Sequence, residues 1–197
     1  MIEKLLGVLP EHKDYLDSLQ GKVLYVADWK DENNGGISFT DYDVERAAVR
    51  LLNPSMLSVF CDKFPENALP IKKGCFSQQC ECILFPQDEA EDTDDWRLFI
   101  ETKYAKDEAK ARDERNNYPQ KMVGQIEATV EYFRNKGILE ENQVVYAIVS
   151  STLSGILLGL RTEVRRIRPI RSWTETTSFR FPQISQISTD FFVYAVG

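Results

Sequence analysis

Residues 96–105 read Trp96-Arg97-Leu98-Phe99-Ile100-Glu101-Thr102-Lys103-Tyr104-Ala105. Aromatic and β-branched residues crowd this run, and an acidic tract, Asp88-Glu89-Ala90-Glu91-Asp92-Thr93-Asp94-Asp95, precedes it as a solvated connection. The run predicts a β-strand. Alternation along a strand then sends Phe99, Glu101, Lys103 and Ala105 to one face and Ile100, Thr102 and Tyr104 to the other. An acid and an ammonium thus stand side by side on an otherwise apolar strand, where unpaired burial is costly. A mutual ion pair relieves that cost, and so does a cation shared with a second acid.

The second acid is Glu81, in Gln78-Gln79-Cys80-Glu81-Cys82-Ile83-Leu84-Phe85. Residues 71–76 and 79–85 read as paired strands. If the latter forms a hairpin with residues 96–105, Glu81 and Glu101 meet at one end of it. Two carboxylates repel unless a proton or a cation lies between them. A hard divalent cation such as Mg²⁺ suits an all-oxygen setting, and Lys103 would reach its bound water. Cys80 and Cys82 alternate with Glu81, so both are expected to face away from it as small apolar fillers.

Further along, residues 106–117 are charged throughout, with Lys106, Lys110, Arg112 and Arg115 interleaved with acids, and read as a solvated helix or loop. From 118 to 136, Met122, Ile126, Val130 and Phe133 are spaced by four, four and three, an apolar helical stripe that Gly137 ends. Residues 144–150 form a continuous apolar run, as expected of a strand covered on both faces. Residues 153–160 follow as a helix in which Gly155 and Gly159 permit close packing. Two strand-like runs, 179–184 and 191–196, close the chain.

Upstream, residues 16–19 predict a short helix and 22–27 a strand. The loop 31–36 ends in Gly35-Gly36, a turn rather than a phosphate loop, because no Gly-Lys-Ser or Gly-Lys-Thr follows. After Thr40 or Asp41 as cap, Val44, Ala47, Ala48, Leu51 and Leu52 recur at helical spacing and predict an amphipathic helix over 43–52. Asn53-Pro54 ends or kinks it, with an extension to Phe60 open.

The chain has 197 residues, enough for one domain, 1–197, with a core at about 43–150. With 43% apolar and 28% charged residues, it is neither collagen-like nor broadly disordered. Lys and Arg number 24 against 31 Asp and Glu, a net charge of −7, which argues against indiscriminate binding to polyanions. A local basic patch remains open: Arg161, Arg165, Arg166, Arg168 and Arg171 are opposed only by Glu163. Those forks could position a phosphate backbone or face a partner. The four cysteines lack zinc-type pairs and His12 is the only histidine, so reduced thiols are expected and a Cys/His metal site is not. His12 has no nucleophile pattern near it. Residues 1–10 lack a secretory signal, giving a cytoplasmic expectation. The longest uncharged stretch, 143–160, has Ser150, Ser151, Thr152 and Ser154 at its centre, so it reads as buried core rather than a membrane span.

An acid on one strand, a hairpin, then Glu101-Thr102-Lys103 followed by a helix and a buried strand resembles the PD-(D/E)XK nuclease superfamily, the restriction-endonuclease-like fold. The resemblance covers residues 43–150. It implies an α/β protein with an αβββαβ core, a mixed central sheet flanked by helices, and N-terminal and C-terminal additions. Glu81 takes the position of the family's first acid, Glu101 the second and Lys103 the lysine. The resemblance further implies Mg²⁺ or Mn²⁺ held by the two acids with the Thr102 carbonyl, and a lysine that orients or activates the attacking water. The reaction implied is hydrolysis of phosphodiesters in nucleic acid, DNA ahead of RNA. Glu45 matches an accessory acid of some members, and Gln120 or Gln125 a helix glutamine of others; many members are homodimers. This sequence departs from the pattern in its first acid, Glu for Asp, and in Cys80 where the name-giving Pro would stand. That departure and the acidic balance also suit a catalytically inactive binding or assembly module of the same fold.

Overall fold

The computed structural model describes residues 1–28, 36–44, 47–87, 96–105, 118–153 and 165–167, with side chains at all but 103–105, 118–119, 151–153 and 165–167. In chain order the elements begin with α1 (Ile2–Val8), a 3₁₀ turn (Pro10–Asp14), β1 (Leu16–Gln20), β2 (Val23–Asp28), β3 (Ile37–Thr40) and β4 (Val49–Leu52). There follow β5 (Ser58–Lys63), β6 (Pro70–Lys72), β7 (Cys75–Phe76), β8 (Cys82–Pro86), β9 (Leu98–Ala105), α2 (Tyr118–Asn135), β10 (Val145–Leu153) and β11 (Arg165–Ile167).

A mixed six-stranded sheet, ordered β1-β5-β8-β9-β10-β11, carries the fold. Neighbours run antiparallel except β9 and β10, which are parallel. A parallel neighbour cannot be reached by a tight turn, and α2 lies on the crossover that the geometry demands. The stripe Met122, Ile126, Val130 and Phe133 is buried against Ile83, Phe85, Phe99, Val145, Ala147 and Val149, with Leu5 and Leu9 from α1 and the segment after it. Leu98, Ile100 and Ile148 alternate to the opposite face and meet a second sheet, β3-β2-β4, through Leu24, Val26, Val49 and Leu51. β9 and β10 are thus covered on both sides, as their apolar runs require. Among the described residues β6 and β7 pair only with each other.

The helix α2 stops where its sequence says it should. Gly137, at φ +71°, donates its N–H to Arg134, and Ile138 donates to Phe133, the two bonds of a Schellman cap. Among the described residues no helix is long and apolar enough to cross a membrane.

Several expectations fail. Residues 43–52 form no helix among the described positions: β4 occupies 49–52 and pairs with β2, because Val49 and Leu51 also alternate and both are completely covered there. No extension reaches Phe60, which lies in β5. The face assigned to that helix is covered by the small sheet, so helices do not flank the central sheet on both sides in the described residues. Residues 16–19 are strand β1, paired with β5, rather than a helix. Residues 71–76 do not pair with 79–85: β6 and β7 form their own hairpin, and β8 takes β5 and β9 as partners. Of the helix expected at 153–160, Leu153 is the last residue of β10 and the rest lies outside the described residues, as do the expected elements at 106–117, 179–184 and 191–196 and the acidic tract at 88–95.

Candidate functional site

The two acids are set by the pairing of β8 and β9. The register couples Cys82 to Ile100, Ile83 to Phe99 and Leu84 to Leu98. One residue before Cys82, the Glu81 N–H donates to the Ile100 carbonyl at 3.0 Å, while the Glu81 carbonyl accepts from Phe64 at 3.0 Å. Glu81 and Cys82 therefore both address Ile100, as two residues do at a β-bulge. This extra residue has a visible result. Cys80 joins the core beneath α2 and Cys82 the core beneath the small sheet, so they do not share a face as strict alternation predicts.

Glu101 follows Ile100 and shares a face with Phe99, the one covered by α2. It has no exposed surface. Burial and, next, the Glu101 carboxylate push the Cys80 thiol well above its ordinary pKa, with a smaller push from Glu81. Both acids are therefore close enough to act on one thiol. Thr129 of α2 fixes the approach: its hydroxyl accepts from the Cys80 N–H at 2.9 Å and donates to the Gln125 carbonyl at 2.8 Å.

Glu81 opens onto a cleft of about 980 Å³ between the start of α2 and the loop after β5. Gln120 and Gln125 line it together with Glu81, so three of the residues singled out in the sequence converge. Gln125 Nε2 donates to the Gln79 carbonyl at 2.9 Å, which ties the helix to the entry of β8 and gives Gln125 a positioning role. Gln120 is exposed at the mouth. Thr102 is buried on the other face, towards the small sheet. Lys103 is paired in register with Ser151 on β10, and its side chain lies outside the described set. Arg165 and Arg166 lie on β11, opposite Ala147 and Tyr146. Glu45, Arg161, Arg168 and Arg171 lie outside the described residues.

Two cleft residues went unread in the sequence. Gln79 donates its amide to the Pro65 carbonyl and accepts from the Ala68 N–H at 2.8 Å, stapling the loop after β5 across the cleft floor. Lys121 is exposed on the wall beside Gly124. Its signal was the polar set Gln120, Lys121, Gly124 and Gln125, which lies at helical spacing next to the apolar stripe.

Among the described residues no three His, Cys, Asp or Glu side chains group to hold a metal ion. Mg²⁺ is commonly held by one or two carboxylates with substrate phosphate and water, so Glu81 and Glu101 have the right donor chemistry, with Glu81 lining the cleft and Glu101 wholly buried behind it. No family model, curated protein or solved structure matches the chain.

Proposed function

We propose that this chain is a metal-dependent nuclease of the restriction-endonuclease-like fold, hydrolysing phosphodiesters at Glu81, Glu101 and Lys103. The observation that supports it best is the step from the Glu81 N–H to the Ile100 carbonyl, which sets the second acid one residue beyond the first on the adjoining strand. Leaving aside the inserted β6–β7 hairpin, the order β5, β8, β9, α2, β10 in the central sheet is compatible with the βββαβ part of that core.

In this reading Glu81 and Glu101 would hold Mg²⁺ or Mn²⁺, aided by the Thr102 carbonyl, with Glu45 as an accessory acid. The cation, when bound, supplies charge stabilisation at the phosphoryl oxygens and a more acidic water. Lys103 orients the attacking water and takes part in its deprotonation. Gln120 hydrogen-bonds the incoming phosphate at the cleft mouth, and Gln125 keeps the strand entry in place. The arginines at 161, 165, 166, 168 and 171 position the backbone of the substrate, DNA ahead of RNA, in a cytoplasmic protein that acts as a homodimer.

The complete burial of Glu101 favours a second reading, a binding or assembly module that retains the fold without the chemistry. One experiment separates them. The purified chain is incubated with plasmid, single-stranded DNA and RNA in Mg²⁺ or Mn²⁺, and Mn²⁺ affinity is measured by calorimetry. The nuclease reading expects cleavage abolished by chelation and reduced by about 10²-fold or more in Lys103→Ala and Glu101→Gln. Cleavage unchanged in Lys103→Ala, or no cleavage together with no Mn²⁺ binding at millimolar concentration, leaves the module.

A further inference from the structure

The hairpin of β6 and β7 stands apart from the rest of the fold. All three residues of β6 are exposed, and among the described residues the hairpin has no third strand. An isolated two-stranded ribbon is marginal in water, so its hold on the body matters. That hold is at the base: the Ser77 N–H donates to the Leu69 carbonyl at 2.8 Å, and the Tyr132 hydroxyl of α2 donates to the Pro70 carbonyl at 3.0 Å. Gly74, at φ +72°, makes the turn.

What the ribbon displays is unlike the surface of an acidic chain. Lys72 and Lys73 occupy the tip, Ile71 and Phe76 are exposed on its strands, and no acid occurs from Asn67 to Cys80. From Phe76 the chain passes directly through Ser77 and Gln78, both in the cleft wall, to Glu81. Asn67 and Gln120 add amides to the same cleft.

We infer that the β6–β7 hairpin is an arm that grips single-stranded nucleic acid and leads it into the cleft. Lys72 and Lys73 take the phosphates and Phe76 stacks on a base, while the amides of the cleft meet base edges. A cationic tip selects a polyanion, and an exposed aromatic beside it selects a polyanion with open base faces, which a duplex conceals and a single strand offers. Lys121 adds a positive charge to the cleft wall, which also carries Glu66 and Glu81. The inference deepens the nuclease reading and rests on it for the identity of the cleft, but binding and cleavage are measured apart.

The test uses the full chain and a fluorescein-labelled oligothymidine of about 20 nucleotides, followed by anisotropy in EDTA at low and at moderate salt. The parent chain is expected to bind the single strand more tightly than a duplex of the same length. Phe76→Ala and the double variant Lys72→Glu/Lys73→Glu are each expected to weaken it by about tenfold. Phe76→Trp is expected to retain it, and circular dichroism checks that each variant is folded. Variants that bind like the parent, or a parent that binds no oligonucleotide, overturn the inference. So does a concentration-dependent dimer of the parent that Phe76→Ala disperses without any oligonucleotide binding, which would make the arm a self-association element. Variant-sensitive binding by a chain that cleaves nothing in Mg²⁺ sustains the arm and removes the nuclease. Cleavage with arm variants unaffected does the reverse.

Discussion

His12 has no exposed surface, yet both its ring nitrogens meet acceptors. Nδ1 hydrogen-bonds Asp62 Oδ2 at 2.8 Å, and Nε2–H donates to the Ala68 carbonyl at 3.2 Å. With Asp62 ionised, such a ring carries a proton on each nitrogen and is cationic. Burial alone would lower its pKa, but the hydrogen bond and charge of Asp62, with the Ala68 carbonyl, raise it above the ordinary value. Burial also pushes the Asp62 carboxyl up against the pull of His12. Both shifts favour bound protons: one ring N–H is taken by the Ala68 carbonyl, and a further proton is held between Nδ1 and Asp62 Oδ2. The folded chain therefore holds this proton more tightly than the unfolded one. That stabilisation is complete below the unfolded value of about 6.5 and is lost as pH rises through the higher folded value. The thermal unfolding midpoint should fall as pH rises above about 6.5, and less so in His12→Ala. That variant should itself lose about 3–5 kcal/mol in urea unfolding, since it leaves Asp62 alone in the core. None of this was legible in a linear reading: Asp62 lies fifty positions away and becomes a partner only once β5 is placed. Glu81 and Glu101 were legible as neighbours because a hairpin forces the ends of its strands together. The extra residue at Glu81 was not, since a bulge leaves no mark in an alternating pattern.

At the level of elements, α2 offers a controlled pair of substitutions. Gly137 sits at a positive φ in the cap, so Gly137→Ala should destabilise by about 1 kcal/mol. Gly124 is inside the helix, and a Cβ there would meet nothing within 4 Å. Gly124→Ala should therefore stabilise by about 0.5–1 kcal/mol, and urea midpoints moving in opposite directions would check both. The helix and the strands on either side were readable because each pattern persists long enough to fix its period. Residues 43–52 were not. Their apolar positions satisfy a period of 3.6 and, from Val49 to Leu52, a period of 2 as well. The unpaired edge of β2 decides between them, and no local window contains it. Residues 16–19 are too short for a period to declare itself, and only the partner strand β5 makes them a strand.

At the scale of the whole molecule, the described residues form a sheet with two differently built sides, α1 and α2 over one and three antiparallel strands over the other. Its central parallel pair is the least local strand pairing among the described residues. Leu98 meets Tyr146 and Ala105 meets Leu153, with α2 spanning the interval. Sequence alone indicated α/β composition and the β-α-β order at this centre. It did not indicate that β1, from the start of the chain, would close the far edge of the same sheet. The late arrival of β10 has a cost for any shortened form. A polypeptide terminated at residue 143 lays the eight residues of β9 bare along one side, a ready template for docking a copy of itself. Such a fragment should scatter light and enhance thioflavin fluorescence at concentrations where the intact protein stays clear. Synthesis on the ribosome passes through that same vulnerable length, so nascent chains paused before β10 emerges are the ones most in need of a chaperone.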